Sequence, residues 1–329
     1  MLKRAIKLNM NEMPYLPPKA IIEAAQKGLL NLNRYSNSED IEQLRVFLAD
    51  YAEVSSEHVI LGPGSDLLLR ETIQTFAKGR KIVMVSPSFF PTVQTAKQFA
   101  TKLISIRLSP PEFNLNLDFL MNELNEPCLV IIDNPNNPTG KILLDRHAVE
   151  EIIKNKNVLL LIDEAYYEYS GITFADMVED RPNLAITRTM DKAFSLAGAR
   201  VGYAIAGKVF LETFSSFYAF LPSFSLHAAI EALKNPEYMR RNIHRVIEEK
   251  KREMRALEKL DVQIFPSSTN FLLVKTMVPD AVRMLKDIGI LVSDVSNQLS
   301  AGFLRISIGT REDNDTFIAG YKRILKDCD

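Results

Sequence analysis

Four polar clusters break the apolar runs of this chain, and each holds residue types that do chemistry. Gly62-Pro63-Gly64-Ser65-Asp66 follows Val59–Leu61 and opens a helical stretch at Leu67–Ala77. Glycines followed by Ser-Asp at a helix start offer backbone N–H groups to an anion. Asn134-Pro135-Asn136-Asn137-Pro138-Thr139-Gly140 follows Leu129–Asp133, and its two X-Pro steps predict an extended loop with outward amide donors. Asp163-Glu164-Ala165-Tyr166 closes Val158–Ile162. A carboxylate ending an aliphatic strand is partly desolvated and needs a cationic or N–H partner. Thr189-Met190-Asp191-Lys192 runs on into Leu196-Ala197-Gly198-Ala199-Arg200-Val201-Gly202, a small-residue setting in which a solvated lysine is out of place. Taken singly, each has a plainer reading: a capped turn, a rigid turn, an Asp capping the next turn, one lysine among 40 basic residues.

Together the four ends supply a lysine, an acid, phosphate-type donors with an arginine, and a phenol. That set suits pyridoxal phosphate. The cofactor takes a lysine as Schiff-base partner, whose nitrogen must shed its proton before it attacks an aldehyde. A carboxylate at the ring nitrogen keeps the pyridinium charged and makes the ring an electron sink. A hydroxyl or amide meets the ring oxygen, an aromatic side chain stacks on the ring, and a helix terminus with an arginine holds the phosphate.

The elements that must position these ends are short β-branched runs at Val59–Leu61, Ile82–Val85, Leu103–Ile106, Leu129–Asp133, Val158–Asp163, Leu184–Thr187 and Val201–Ala206. Helical stretches such as Leu67–Ala77 and His147–Lys154 lie between most of them. Runs that are apolar throughout predict strands buried on both faces, hence an α/β fold. Its large domain is expected to hold a mostly parallel seven-stranded sheet flanked by helices, with ligands at the carboxyl ends of the strands. After Pro222 the texture changes to a charged helix at Pro236–Leu260 and strands at Val262–Phe265, Phe271–Val274, Ile290–Val292 and Phe303–Ile308. Helices at Asp280–Ile288 and Glu312–Lys326 complete a smaller α+β domain. The predicted division is residues 1–30 as an N-terminal arm and part of the small domain, with a helix at Pro18–Leu29. Residues 31–222 form the large cofactor-binding domain and 223–329 the small C-terminal one.

Composition narrows the field. The chain has 329 residues, 47% hydrophobic and 25% charged, which is globular and long enough for two domains. Forty Lys and Arg balance 41 Asp and Glu, leaving no positive surplus for a nucleic acid or an anionic membrane. The longest apolar stretches, such as Val158–Ile162, are too short to span a bilayer, and MLKRAIKLNMNEMPY has no apolar signal core. Cys128 and Cys328 make no multi-bridge framework and fit a reduced, cytoplasmic protein. His58, His147, His227 and His244 are scattered without ligand spacing, so no metal is expected.

The order NPNNPTG, DEAY, a lysine followed by AFSLAGARVGY, then FLRISIGT resembles the fold type I pyridoxal-phosphate aminotransferases, and most of all the histidinol-phosphate aminotransferase group. The likeness runs from LNMNEMPYLPP to GTREDND. It implies that Lys192 is the Schiff-base lysine and proton carrier, that Asp163 partners the pyridinium nitrogen, and that Tyr166 and Asn137 meet the ring oxygen. It implies a phosphate cup of Arg200, Thr189 and the backbone at Gly64-Ser65, with Phe89 stacking on the ring. Tyr35 matches a tyrosine that reaches the phosphate from the other subunit, which implies a homodimer with shared sites. Arg305 matches the arginine that holds the substrate's acidic group, with Tyr15 and Asn137 also on the substrate. The implied activity is ping-pong transfer of an amino group from histidinol phosphate to 2-oxoglutarate.

Four positions depart from the group. Asp191 stands where Ser usually precedes the lysine, and a carboxylate there repels a phosphate. Met13 replaces the second Asn of NENP, and Tyr35 is followed by Ser36 rather than Pro. Ser293 replaces an arginine that helps bind the substrate's phosphate, a loss of about 1.5–3 kcal/mol or 10–100-fold in affinity. Transamination of an aromatic amino acid, or decarboxylation of a phosphothreonine-type substrate on the same scaffold, are the rival activities. A pyridoxal-phosphate sensor fused to a DNA-binding module is disfavoured, because no helix-turn-helix extension or basic excess precedes the arm.

Overall fold

The computed structural model describes residues 5–214, 220–260 and 262–326. Cys328 lies outside them, and Cys128 is buried. The strands are β1 (Ile6–Leu8), β2 (Val59–Gly62), β3 (Lys81–Ser86), β4 (Leu103–Arg107), β5 (Cys128–Asp133), β6 (Val158–Asp163), β7 (Leu184–Thr189), β8 (Gly202–Ala206), β9 (Val262–Phe265), β10 (Phe271–Thr276), β11 (Ile290–Asp294) and β12 (Phe303–Ser307).

The larger sheet has seven strands in the order β2-β8-β7-β6-β5-β3-β4. Strands β3 to β7 pair in parallel, while β8 is antiparallel to both of its neighbours, β2 and β7. This is the α/β architecture that the apolar runs predict, and the reason is visible in the packing. Successive side chains of a strand point to opposite faces. Val130 and Ile132 join one apolar cluster while Leu129 and Ile131 join another, and Leu160 and Ile162 divide from Leu159 and Leu161 in the same way. Both faces are dry, so no polar residue is tolerated until the strand ends. Asp133 and Asp163 are therefore the last residues of β5 and β6.

The second sheet has the order β1-β11-β12-β10-β9, antiparallel except for β1 against β11. Strand β1 is not predicted by its own residues. It is three residues long and becomes a strand only by pairing Ile6 with Ile290, far along the chain. The charged helix Glu237–Leu257 packs against β9 and the helix Arg311–Lys326. The helix Ser223–Lys234 packs instead on Lys19–Leu29 and Ser38–Ala52. Among the described residues no helix is long and apolar enough to cross a membrane, and no three His, Cys, Asp or Glu are grouped to hold a metal ion.

Candidate active site

A cavity of about 660 Å³ opens at the carboxyl ends of β5, β6 and β7. Asp133, Asp163 and Lys192 wall it from the larger sheet, Ser293 and Arg305 from the smaller one, and the arm at Asn9–Asn11 closes its side. Residues separated by most of the chain thus meet in one hollow.

Its floor is acidic and dry. Asp133 and Asp163 are register partners across β5 and β6. Asp163 accepts from the Thr187 hydroxyl at 3.0 Å, yet burial, and then the charge of Asp133, push its carboxyl up to about 7. The positive charge of Lys192 pulls in the opposite direction, so lysine and acid sense each other. Burial pushes Asp133 up to about 6, against hydrogen bonds from the Asn137 backbone, Asn136 and Ser88. Under the floor, Glu164 and Arg188 form a buried ion pair at 2.9 Å, and Arg188 stacks on Tyr167 at 3.7 Å. That pair ties the end of β6 to β7.

Lys192 stands in the turn after β7, half-buried, and its Nζ donates to the Met10 carbonyl at 3.3 Å. Tyr166 is buried, and its hydroxyl accepts from Asn11 Nδ2 at 2.8 Å. Phe89 is half-buried on the cavity wall, with one side against the core of the larger sheet. At the far end the chain turns at Gly64, whose φ of +90° suits a residue without Cβ. A Cβ there would sit 2.3 Å from Arg200 Nη2, and one at Gly202 would sit 2.3 Å from the Ser65 nitrogen. The two glycines let β8 and the start of the helix Ser65–Phe76 close around the space that Arg200 faces. Thr189 lines the same end, its hydroxyl accepting from the Asp191 backbone N–H at 3.1 Å.

Arg305 sits on β12 opposite Leu273 and Ser293. Its Nη1 donates to Asn137 Oδ1 at 2.6 Å, and its Nη2 to the Asn9 carbonyl at 2.7 Å and Ser293 Oγ at 3.0 Å. Its Nε has no partner. All three acceptors are neutral, and burial pulls the guanidinium below its ordinary value. A half-buried cation held only by neutral oxygens has its charge uncompensated, which suits an anion. Asp313, an acid within reach in sequence, is taken up by Thr310 instead.

Most of the residues expected at the site are on this wall, but two stand apart. The Tyr15 ring serves as a platform for the Arg245 guanidinium at 3.5 Å and is not among the residues facing the cavity. Tyr35 is 83% exposed and stacks on Phe220 with ring centres 5.0 Å apart. The NPNNPTG loop also differs from expectation. Both X-Pro bonds are cis, the loop doubles back with Asn136 N–H on the Lys141 carbonyl, and its amides bond Asp133 and Pro87 rather than pointing outward. Residue-by-residue reading missed Asn11. It is 1% exposed and joins Tyr166 to Ser307 and Asn270, and its one signal was an excess of Asn in the arm. It also missed Asp133, read only as the last residue of a strand.

Whether these groups suit pyridoxal phosphate is decided by the acid at 163. A buried carboxyl that stays raised to about 7 despite the charge of Lys192 has room for a further cation, and a protonated ring nitrogen would supply one. A lysine facing that acid, a phenol beside it and a glycine-lined cup around an arginine complete the fit. The fold and the site together define a pyridoxal-phosphate-dependent enzyme of fold type I. A family model described as "Aminotransferase class I and II" matches residues 3–320. A histidinol-phosphate aminotransferase of Sulfurisphaera tokodaii is 34% identical over 330 residues, 98% of this chain and 90% of the relative. In fold, the chain is similar to the histidinol-phosphate aminotransferase of Sinorhizobium meliloti solved in complex with pyridoxal-5'-phosphate, with a TM-score of 0.86 at 22% identity, covering 99% of this chain and 92% of that one. The L-threonine-O-3-phosphate decarboxylase of Porphyromonas gingivalis superposes with a TM-score of 0.84 at 20% identity, covering 97% and 99%. The chain belongs to the class I and II aminotransferase family.

Proposed function

We propose that this aminotransferase acts on histidinol phosphate, passing its amino group to 2-oxoglutarate to give imidazole acetol phosphate and glutamate. The observation that carries the reading is Arg305, a half-buried guanidinium with neutral acceptors only, across one cavity from Lys192 and Asp163. An anionic group on the substrate neutralises it, and a phosphate or a carboxylate meets the fork equally well. The name carried by the relative at 34% identity supports the phosphate.

Pyridoxal phosphate, when bound, supplies an aldehyde and a ring that withdraws electrons from the substrate's reacting carbon. Asp163 would hold the ring nitrogen, Tyr166 and Asn137 the ring oxygen, and Phe89 one ring face. Arg200, Thr189 and the Gly64-Ser65 backbone would hold the phosphate. Lys192 Nζ would hold the cofactor's aldehyde end and would carry the proton that leaves the substrate's Cα. The buried Asp133–Asn136–Asn137 bonds fix the wall against which the substrate's acidic end is oriented.

We further propose a cytoplasmic homodimer. Its support is a set of exposed apolar side chains, Leu16, Leu30, Leu32, Tyr35 and Phe220, of which Tyr35 and Phe220 are in ring contact. In that assembly Tyr35 reaches the partner's phosphate end, which accounts for its distance from its own cavity. We also propose the division of the chain into residues 1–30, 31–222 and 223–329, with the helix Ser223–Lys234 at the boundary packing on both Lys19–Leu29 and Ser38–Ala52.

The reading is tested by offering the holoenzyme histidinol phosphate, phenylalanine and phosphothreonine in turn, each with 2-oxoglutarate. Glutamate should form fastest with histidinol phosphate. Glutamate from phenylalanine alone, or carbon dioxide from phosphothreonine, would replace the proposal with one of its rivals.

A further inference from the structure

The phosphate end of the cavity holds an acid that a phosphate does not call for. Asp191 directly precedes Lys192 and its side chain is only 7% exposed. Its Oδ2 accepts from Arg200 Nη1, while Asp66 Oδ1 takes Arg200 Nη2. The other carboxylate oxygen, Oδ1, is buried with no hydrogen-bond partner, and the residue lines the cavity. Two carboxylates against one guanidinium leave this corner one negative charge in excess. The two acids are not equivalent. Asp66 is 47% exposed, so water screens its charge, whereas that of Asp191 acts through protein at close range.

We propose that Asp191 governs the hold on the cofactor's phosphate by competing with it for Arg200. The inference rests on the cofactor assignment made above. A phosphate oxygen that approaches Arg200 must take Nη1 from Asp191, and the displaced carboxylate, with its unpartnered Oδ1, remains beside a dianion. A neutral residue of similar size at 191 would leave Arg200 to the phosphate and remove the repulsion. Asp191 is thus a specificity residue at the phosphate end, and it favours ready exchange of the cofactor over permanent retention. The ring end, built on Asp163 and Tyr166, carries no such penalty.

The experiment titrates the full chain, freed of cofactor, with pyridoxal 5'-phosphate and separately with pyridoxal, which has the same ring and aldehyde but no phosphate. Binding is followed by equilibrium dialysis for the parent chain, Asp191→Asn and Asp191→Ser. The proposal expects both variants to bind pyridoxal 5'-phosphate at least about 10-fold more tightly than the parent, with pyridoxal affinity unchanged within about twofold. Equal affinity of all three chains for pyridoxal 5'-phosphate overturns it, as does weaker binding by both variants. An equal gain for both ligands overturns it too, because the effect would not belong to the phosphate. A parent chain that binds neither ligand overturns the cofactor assignment itself, an outcome distinct from the others.

Discussion

Asp133 and Asp163 face each other in register at the carboxyl ends of β5 and β6, two buried acids one strand apart. The charge of Asp133 raises the cost of ionising Asp163, and the cavity they floor offers Lys192 as a compensating charge.

Stability should therefore depend on pH. In the folded chain Asp163 is raised from an ordinary 3.8 to about 7, and Asp133 to about 6. Between about pH 4 and pH 7 the folded chain holds protons that the unfolded chain has released. Unfolding thus releases protons, and stability falls as pH rises through that window; the buried carboxyls of Glu168 and Glu253, each raised to about 8, carry the fall further. The slope is about 1.4 kcal/mol per pH unit for each such acid. Denaturant unfolding of cofactor-free protein should show this decline, and Asp163→Asn should make it shallower while matching or exceeding the parent's stability at pH 8. A parent chain that grows more stable from pH 4 to pH 7 would contradict the burial of these acids.

Arg305→Lys keeps a charge but loses the fork to Asn137, Asn9 and Ser293. One charge-assisted hydrogen bond is worth about 1.5–3 kcal/mol, so KM for the acidic substrate should rise about 10–100-fold. The kcat should change less, because the contact orients substrate in ground and transition states alike. Steady-state kinetics separate the two constants.

Ser293 bonds the Asn9 carbonyl at 2.9 Å and stands opposite Arg305. Ser293→Arg would add a second cation beside the first. Affinity for histidinol phosphate should rise by about 10-fold or more, while that for phenylalanine, which has no phosphate, should not. Substrate competition measurements give the ratio directly.

The exposed apolar side chains of Leu30, Leu32 and Tyr35 should lie at a subunit boundary. Leu32→Glu buries a charge there if the chain dimerises, and a buried unpaired charge costs several kcal/mol. Analytical ultracentrifugation should show a dimer for the parent and a shift to monomer for the variant, with loss of activity. A monomeric, active parent would remove the shared site.

Much of this was legible in the residues. Runs such as Val158–Leu161 are apolar at every position because both faces of the sheet are covered, so strand, fold class and the polar strand end could be read together. Lys192 and Asp163 were legible because each interrupts a setting that excludes it, whereas Arg200 was read through the resemblance of GARVG. The features that escaped depend on distant partners. Strand β1 exists through β11, and Asn11 matters because Tyr166, Ser307 and Asn270 converge on it. The inward amides of the NPNNPTG loop arise from Asp133, a residue outside the motif. The departure at Asp191 was visible as a letter, but its grip on Arg200 was not.

The central claim is that Lys192 and Asp163 serve one cofactor that shuttles an amino group. It is tested most directly by following the visible absorbance of the holoenzyme through each half of the reaction. Histidinol phosphate alone should bleach the absorbance in a single turnover, 2-oxoglutarate should restore it with formation of glutamate, and Lys192→Ala should slow both steps by about 10³-fold or more. Absorbance that persists in excess histidinol phosphate, or half-reactions that run at the parent rate in Lys192→Ala, would contradict the claim.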